Sequence, residues 1–225
     1  MEPLQSLIAA SLTFVGTHFA LSHPLRAPLV RTLGAVGFQI VYSLVALASF
    51  AWMVLAFQAA PAAPLLWDGT GDAIWGIASL LTLIAAMLLV GSLLGNPALP
   101  MPGADKLAAR PPRGVFLVTR HPMMWGFALW ALAHLLVAPS PRGIVLTGAV
   151  ALLALVGSHL QDRKKRELMG PAWAGWEAQT SYAPRFAALA SAGAVPWLGG
   201  LVLWLIATWA HLAGNGMAAG VWRWL

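Results

Sequence analysis

Six apolar runs dominate the chain, at residues 4–21, 36–57, 74–94, 123–138, 144–160 and 195–212. Each is close to the roughly 20 residues that an α-helix needs to cross a bilayer. Only helices and closed barrels satisfy their own backbone in lipid, and uninterrupted runs of this length point to helices. They predict an all-α fold, a polytopic membrane bundle of six transmembrane helices. Of the 225 residues only 9% are charged and 60% are hydrophobic, against about 25% charged in a soluble domain. That balance excludes a disordered tail and a coiled coil, and the absence of cysteine excludes a disulfide-stapled module. One bundle uses the whole length, so residues 1–225 read as a single domain. Before the first run stands Glu2 and no basic residue. It lacks the positive start of a signal peptide and is expected to remain as a helix.

Thirteen Lys and Arg outnumber seven Asp and Glu, for a net charge of +6. The linkers after runs one, three and five carry Arg26, Arg31, Lys106, Arg110, Arg113, Arg120, Arg163, Lys164, Lys165, Arg166 and Arg185, and the other side carries only Arg142 and Arg223. By the positive-inside rule the basic linkers face the cytoplasm and both termini lie outside. Basicity then serves topology and contact with anionic membrane lipid, with no nucleic-acid partner. The 163–166 run reads as a solvated helix end among headgroups.

Two linkers carry most of the remaining information. Residues 96–121 begin NPALPMPG and end RPPRGVFLVTRHP; prolines forbid a continuous helix, and the segment is expected at the interface, partly inside the bundle. Residues 161–190 should extend the fifth helix by about two turns, break at Gly170-Pro171, and resume with Trp173, Trp176 and Tyr182 in the headgroup layer. No phosphate-binding glycine loop or GxSxG elbow is present. Without cysteine, any metal must rest on His or carboxylate.

Six histidines in so apolar a chain are costly to bury and therefore informative. His18, in TFVGTHFAL, falls about 21 Å from the outer face, and His134, in WALAHLL, about 18 Å from the cytoplasmic face. Apolar and aromatic neighbours suit the axial ligands of a flat porphyrin. His23 reads as an interfacial cap and His159 as a headgroup contact, while His211 stays open. In a core about 30 Å thick the depths of His18 and His134 differ by roughly 9 Å, whereas axial nitrogens on one iron lie about 4 Å apart. Either helix tilt closes that gap or His121 partners His18. Pro122 suits the first turn of a helix. Beside it, Arg120 and His121 form either a site for the carboxylate or phosphate of a ligand or, more plainly, a snorkelling arginine and a linker cap.

On GTHFALSHPLRAPLVRTLG, Asn96-Pro97, TRHPMMWGFALWALAHLL and GPAWAGWEAQTSYAPRF, the sequence resembles the NnrU family, membrane proteins related to zeta-carotene isomerase. The resemblance implies a haem b in the bacterial inner membrane, with His18 and His134 as the iron ligands; His121 and Arg120 remain the further candidate cofactor-binding residues on their own place at the mouth of the fourth run. It implies either a link to denitrification and nitric oxide metabolism or a redox-dependent isomerisation of a lipophilic polyene. The isomerase carries a cysteine shortly before the counterpart of His134, where this chain has Trp130, Ala131 and Leu132, so a thiolate ligand switch does not transfer. A second likeness gives the alternative. RHPMMWG and DRKKRELMGPAWAGWEAQTSYAPRF look like the C-terminal half of isoprenylcysteine carboxyl methyltransferases, which implies an S-adenosylmethionine pocket bordered by Arg120, His121, Glu167 and Leu168. A non-catalytic partner of respiratory reductases is the third reading. The oligomeric state is not legible from the sequence.

Overall fold

The computed structural model describes residues 2–225, apart from the side chain of Asn215, and contains no strand among them. Eight α-helices follow in order: α1 (Pro3–Ser22), α2 (Arg26–Ala59), α3 (Asp72–Ser92), α4 (Ala104–Ala108), α5 (Pro122–Val137), α6 (Pro141–Met169), α7 (Pro171–Gln179) and α8 (Ala194–Asn215). The all-α membrane bundle is as expected. Five helices, α1, α2, α3, α6 and α8, are long and apolar enough to cross a membrane. The fourth apolar run differs. Helix α5 has 16 residues, about 24 Å at 1.5 Å per residue, because Pro122 opens it and the Pro139-Ser140-Pro141 turn closes it.

Local chemistry sets most helix ends. Proline occupies the first turn of α1, α5, α6 and α7, where its missing N–H leaves no bond unmade. The Ser140 hydroxyl caps α6 by accepting from the Gly143 amide at 3.2 Å. At the far end α6 runs to Met169 and breaks at Gly170, whose φ of 51° is open to glycine, so the anticipated Gly-Pro break is present. Helix α2 departs from expectation. It starts ten residues before its apolar run and kinks at Gly34, where φ is 72°, so Arg26 and Arg31 are helical residues and not part of a loop.

Two separate cores form. One gathers Leu7, Ala10, Met53, Ala56 and Ala149 from α1, α2 and α6. The other gathers Met87, Leu88, Val115, Leu129 and Trp173 from α3, α5, α7 and the 96–121 linker. Helix α8 packs on α3, and α6 touches both α1 and α5, while α2 rests mainly on α1. Trp173 and Trp176, expected among headgroups, are instead 0% and 3% exposed. The reason is that α7 turns back against α4 and α6, which brings Trp176 to 5.4 Å from the Phe116 ring.

A Cβ at Gly200 would lie 2.6 Å from the Met87 backbone, so Gly200→Ala should push α8 off α3. The expected loss is about 1–3 kcal/mol in thermal unfolding, while Gly148→Ala, which meets nothing within 4 Å, should be silent. The cysteine-free chain also permits a direct test of orientation. Ala109→Cys should resist a membrane-impermeant maleimide in intact cells and Ala62→Cys should react; the reverse pattern would invert the topology.

Candidate functional site: a histidine-lined cavity and its latch

A cavity of about 1190 Å³ separates the two cores. Its walls come from α1, α2, α3, α5, α6 and α8 and are mainly apolar, with Phe14, Tyr42, Trp130 and Trp204 among them. One end lies at the α1–α2 turn, the 96–102 segment and the last turns of α6, and is called here the basic end. The opposite end lies where α5 and α8 finish.

His18, His134 and His211 all line this cavity and share one local geometry. Each ring Nδ1 lies against the carbonyl one turn back: Phe14 at 2.6 Å, Trp130 at 2.8 Å and Ala207 at 2.7 Å. A carbonyl only accepts, so Nδ1 carries the hydrogen and the neutral ring keeps its lone pair on Nε2. Among the described residues none of these Nε2 atoms has a hydrogen-bond partner, so three imidazole lone pairs are available along one apolar space.

The structure pairs these histidines differently from the sequence reading. His134 packs on Trp130, 4.1 Å between ring centres, and faces His211 at 6.0 Å. His18 packs between Phe14 and Tyr42, one turn from the basic end of α1, whereas His134 is near the opposite end of α5. No group of three or more His, Asp or Glu among the described residues could hold a bare metal ion. His23 ends α1, 3.2 Å from the Leu160 carbonyl, the cap that was expected. His159 is exposed on α6.

Arg120 and His121 form neither a snorkelling arginine nor a plain linker cap. Both grip Asp162 of α6. Arg120 donates from Nε at 3.0 Å and from Nη2 at 2.7 Å, and His121 donates from Nε2 at 2.8 Å. His121 is 2% exposed and its Nδ1 has no partner among the described residues. Glu177 of α7 accepts twice from Arg166, each at 2.7 Å. The returning chain closes over the cluster: Arg120 N–H donates to the Ser181 carbonyl, Arg185 N–H to the Val118 carbonyl, and Thr119 Oγ1 to the Tyr182 carbonyl. The carboxylate that faces Arg120 and His121 is the chain's own. Asp162, one of the few acids within a long apolar helix, was the signal available for it.

The 163–166 run is also not uniformly solvated. Lys165 is buried and donates to the Pro97 carbonyl at 2.8 Å, Arg166 is paired, and Lys164 lines the cavity. The four positions implied by the methyltransferase likeness are not gathered into one pocket: Arg120 and His121 are occupied by Asp162, Glu167 is exposed and ion-paired with neither, and Leu168 lines the cavity.

The model of the NnrU protein family matches residues 6–219. The chain belongs to the NnrU family. Searches of curated proteins and of solved structures gave no match. The matched span of this NnrU membrane protein contains the three cavity histidines and the whole Asp162 latch.

Replacing Asp162 with Asn should remove the two short Arg120 hydrogen bonds and the charged partner of His121, leaving Arg120 only the Glu177 carboxylate at 3.5 Å, and cost about 3 kcal/mol in unfolding free energy. Asp72→Asn, which removes an exposed pair with Arg223, should cost less than about 1 kcal/mol. Thermal unfolding in detergent of the two variants side by side checks the contrast.

Proposed function

We propose that this NnrU protein is a multi-pass haem b protein of the bacterial inner membrane that acts on a lipophilic ligand, with redox-dependent isomerisation of a polyene as the leading case. The observation that carries the reading is the shared state of His18, His134 and His211, each with its Nδ1 hydrogen spent on a carbonyl and its Nε2 free beside one apolar cavity. Those donors suit a haem, which needs axial nitrogens and apolar walls.

His134 with His211 is the better pair on spacing. Their ring centres stand 6.0 Å apart, close enough for both to serve one haem, whereas the ring neighbours of His18 are Phe14 and Tyr42. When bound, haem would supply an iron able to change redox state in a low-dielectric surrounding. The chain's own groups do the rest. The Trp130 and Ala207 carbonyls fix the ring tautomers and strengthen the Nε2 donors, Trp130 holds the His134 ring, and the apolar walls exclude water.

Detergent-purified protein should have a Soret band. His134→Ala and His211→Ala should each remove most of it, and His18→Ala should leave most of it. Loss on His18→Ala with retention on His211→Ala would restore the pairing of His18 with His134. A colourless protein whose haem titration gives no Soret band would overturn the reading, and S-adenosylmethionine binding by calorimetry would then favour methyl transfer.

A further inference from the structure

The basic end of the cavity carries charge that nothing in the chain balances. Arg26 of α2 and Lys164 and Lys165 of α6 all line it, and Lys164 and Lys165 both feel the repulsion of Arg26. Among the described residues none of the three has a carboxylate within ion-pair distance. The nearest buried acid in sequence, Asp162, is already held by Arg120 and His121. Lys165 is tethered to the Pro97 carbonyl and Arg26 lies 5.9 Å from the Phe38 ring centre, but neither contact supplies negative charge. Arg26 is also the first residue of α2, where the positive end of the helix dipole disfavours a cation. Beyond these charges no other Lys, Arg, Asp or Glu among the described residues lines the cavity, whose walls are mainly apolar with uncharged polar groups such as Gln39, Thr82 and the histidines among them.

We propose that Arg26, Lys164 and Lys165 form a head-group site for a lipid phosphate monoester whose hydrocarbon chain lies in the cavity. Three crowded cations call for more than one negative charge, and a phosphate monoester carries about −1.5 to −2 at pH 7 with three acceptor oxygens. Arg26 contributes a planar fork suited to phosphate oxygens, and the lysines act as point charges. Phosphatidate and a polyprenyl phosphate share this chemistry. The site stands on the cavity and its charges, independently of haem.

The test is native mass spectrometry of the full-length protein in nonionic detergent, titrated separately with dioleoyl phosphatidate, a polyprenyl phosphate and dioleoyl phosphatidylcholine. One phosphate monoester should be retained per chain, at least tenfold more tightly than phosphatidylcholine, and the stronger of the two binders identifies the source. The double variant Arg26→Gln, Lys164→Gln should lose at least tenfold of that affinity. Neither side chain has a hydrogen-bond partner among the described residues, so its melting temperature should match that of the parent. Arg163→Gln, on the exposed face of the same helix, should bind as the parent does. Equal retention of phosphatidylcholine, or an equal loss in Arg163→Gln, would overturn the site in favour of general attraction of basic residues to lipid. A Soret spectrum of each sample tells failure of this site from failure of the haem reading.

Discussion

One buried carboxylate holds the basic end of the bundle closed. Asp162 sits in α6 with 3% of its side chain exposed, a position that would be severely unfavourable for an unpaired charge. Arg120 and His121 make it tenable by bringing three donors from the segment that leads into α5. Helix α6 packs against α1 and α5, so the latch helps tie one half of the molecule to the other, together with the α5–α6 packing and the Gln161 and Lys165 bonds to the Ala98 and Pro97 carbonyls. Helix α7 and residues 181–185 cover the cluster, which is why Trp173 and Trp176 are core residues.

The cavity histidines follow a different logic. A helical histidine that donates Nδ1–H to the carbonyl one turn back satisfies that nitrogen without any tertiary partner. Its Nε2 is left for whatever the neighbouring helices present. On α1, α5 and α8 those neighbours are aromatic rings and the cavity, so among the described residues the lone pair meets no protein donor. Together with the unbalanced cations at the basic end, this gives a mainly apolar cavity with charge at one end and imidazoles along its walls, a profile suited to amphipathic or planar ligands with few polar atoms.

Much of this was legible in order along the chain. The apolar runs, the proline starts, the Gly170-Pro171 break and the capping role of His23 each depend on a residue and its immediate neighbours. Other features were not. Lys164 and Lys165 sit beside Arg163 in the sequence, yet only Arg163 is exposed, because successive helical residues point about 100° apart and α6 has the cavity on one side. The start of α2 was misjudged because Arg26 and Arg31 break the hydropathy without breaking the helix.

By itself the sequence determined the membrane bundle, since lipid demands that backbone polar groups be satisfied within each segment and hydropathy reports residue by residue which segments can enter lipid. It also marked His18 and His134 as groups costly to bury and singled out Arg120 with His121 as either a ligand site or an interfacial cap. Only the tertiary structure decided their partners: Asp162 for Arg120 and His121, 42 and 41 residues away, and His211 beside His134. Those pairings depend on how each helix is rotated and tilted against the next. That is set by packing among similar apolar side chains, to which a one-dimensional pattern of hydrophobicity is blind.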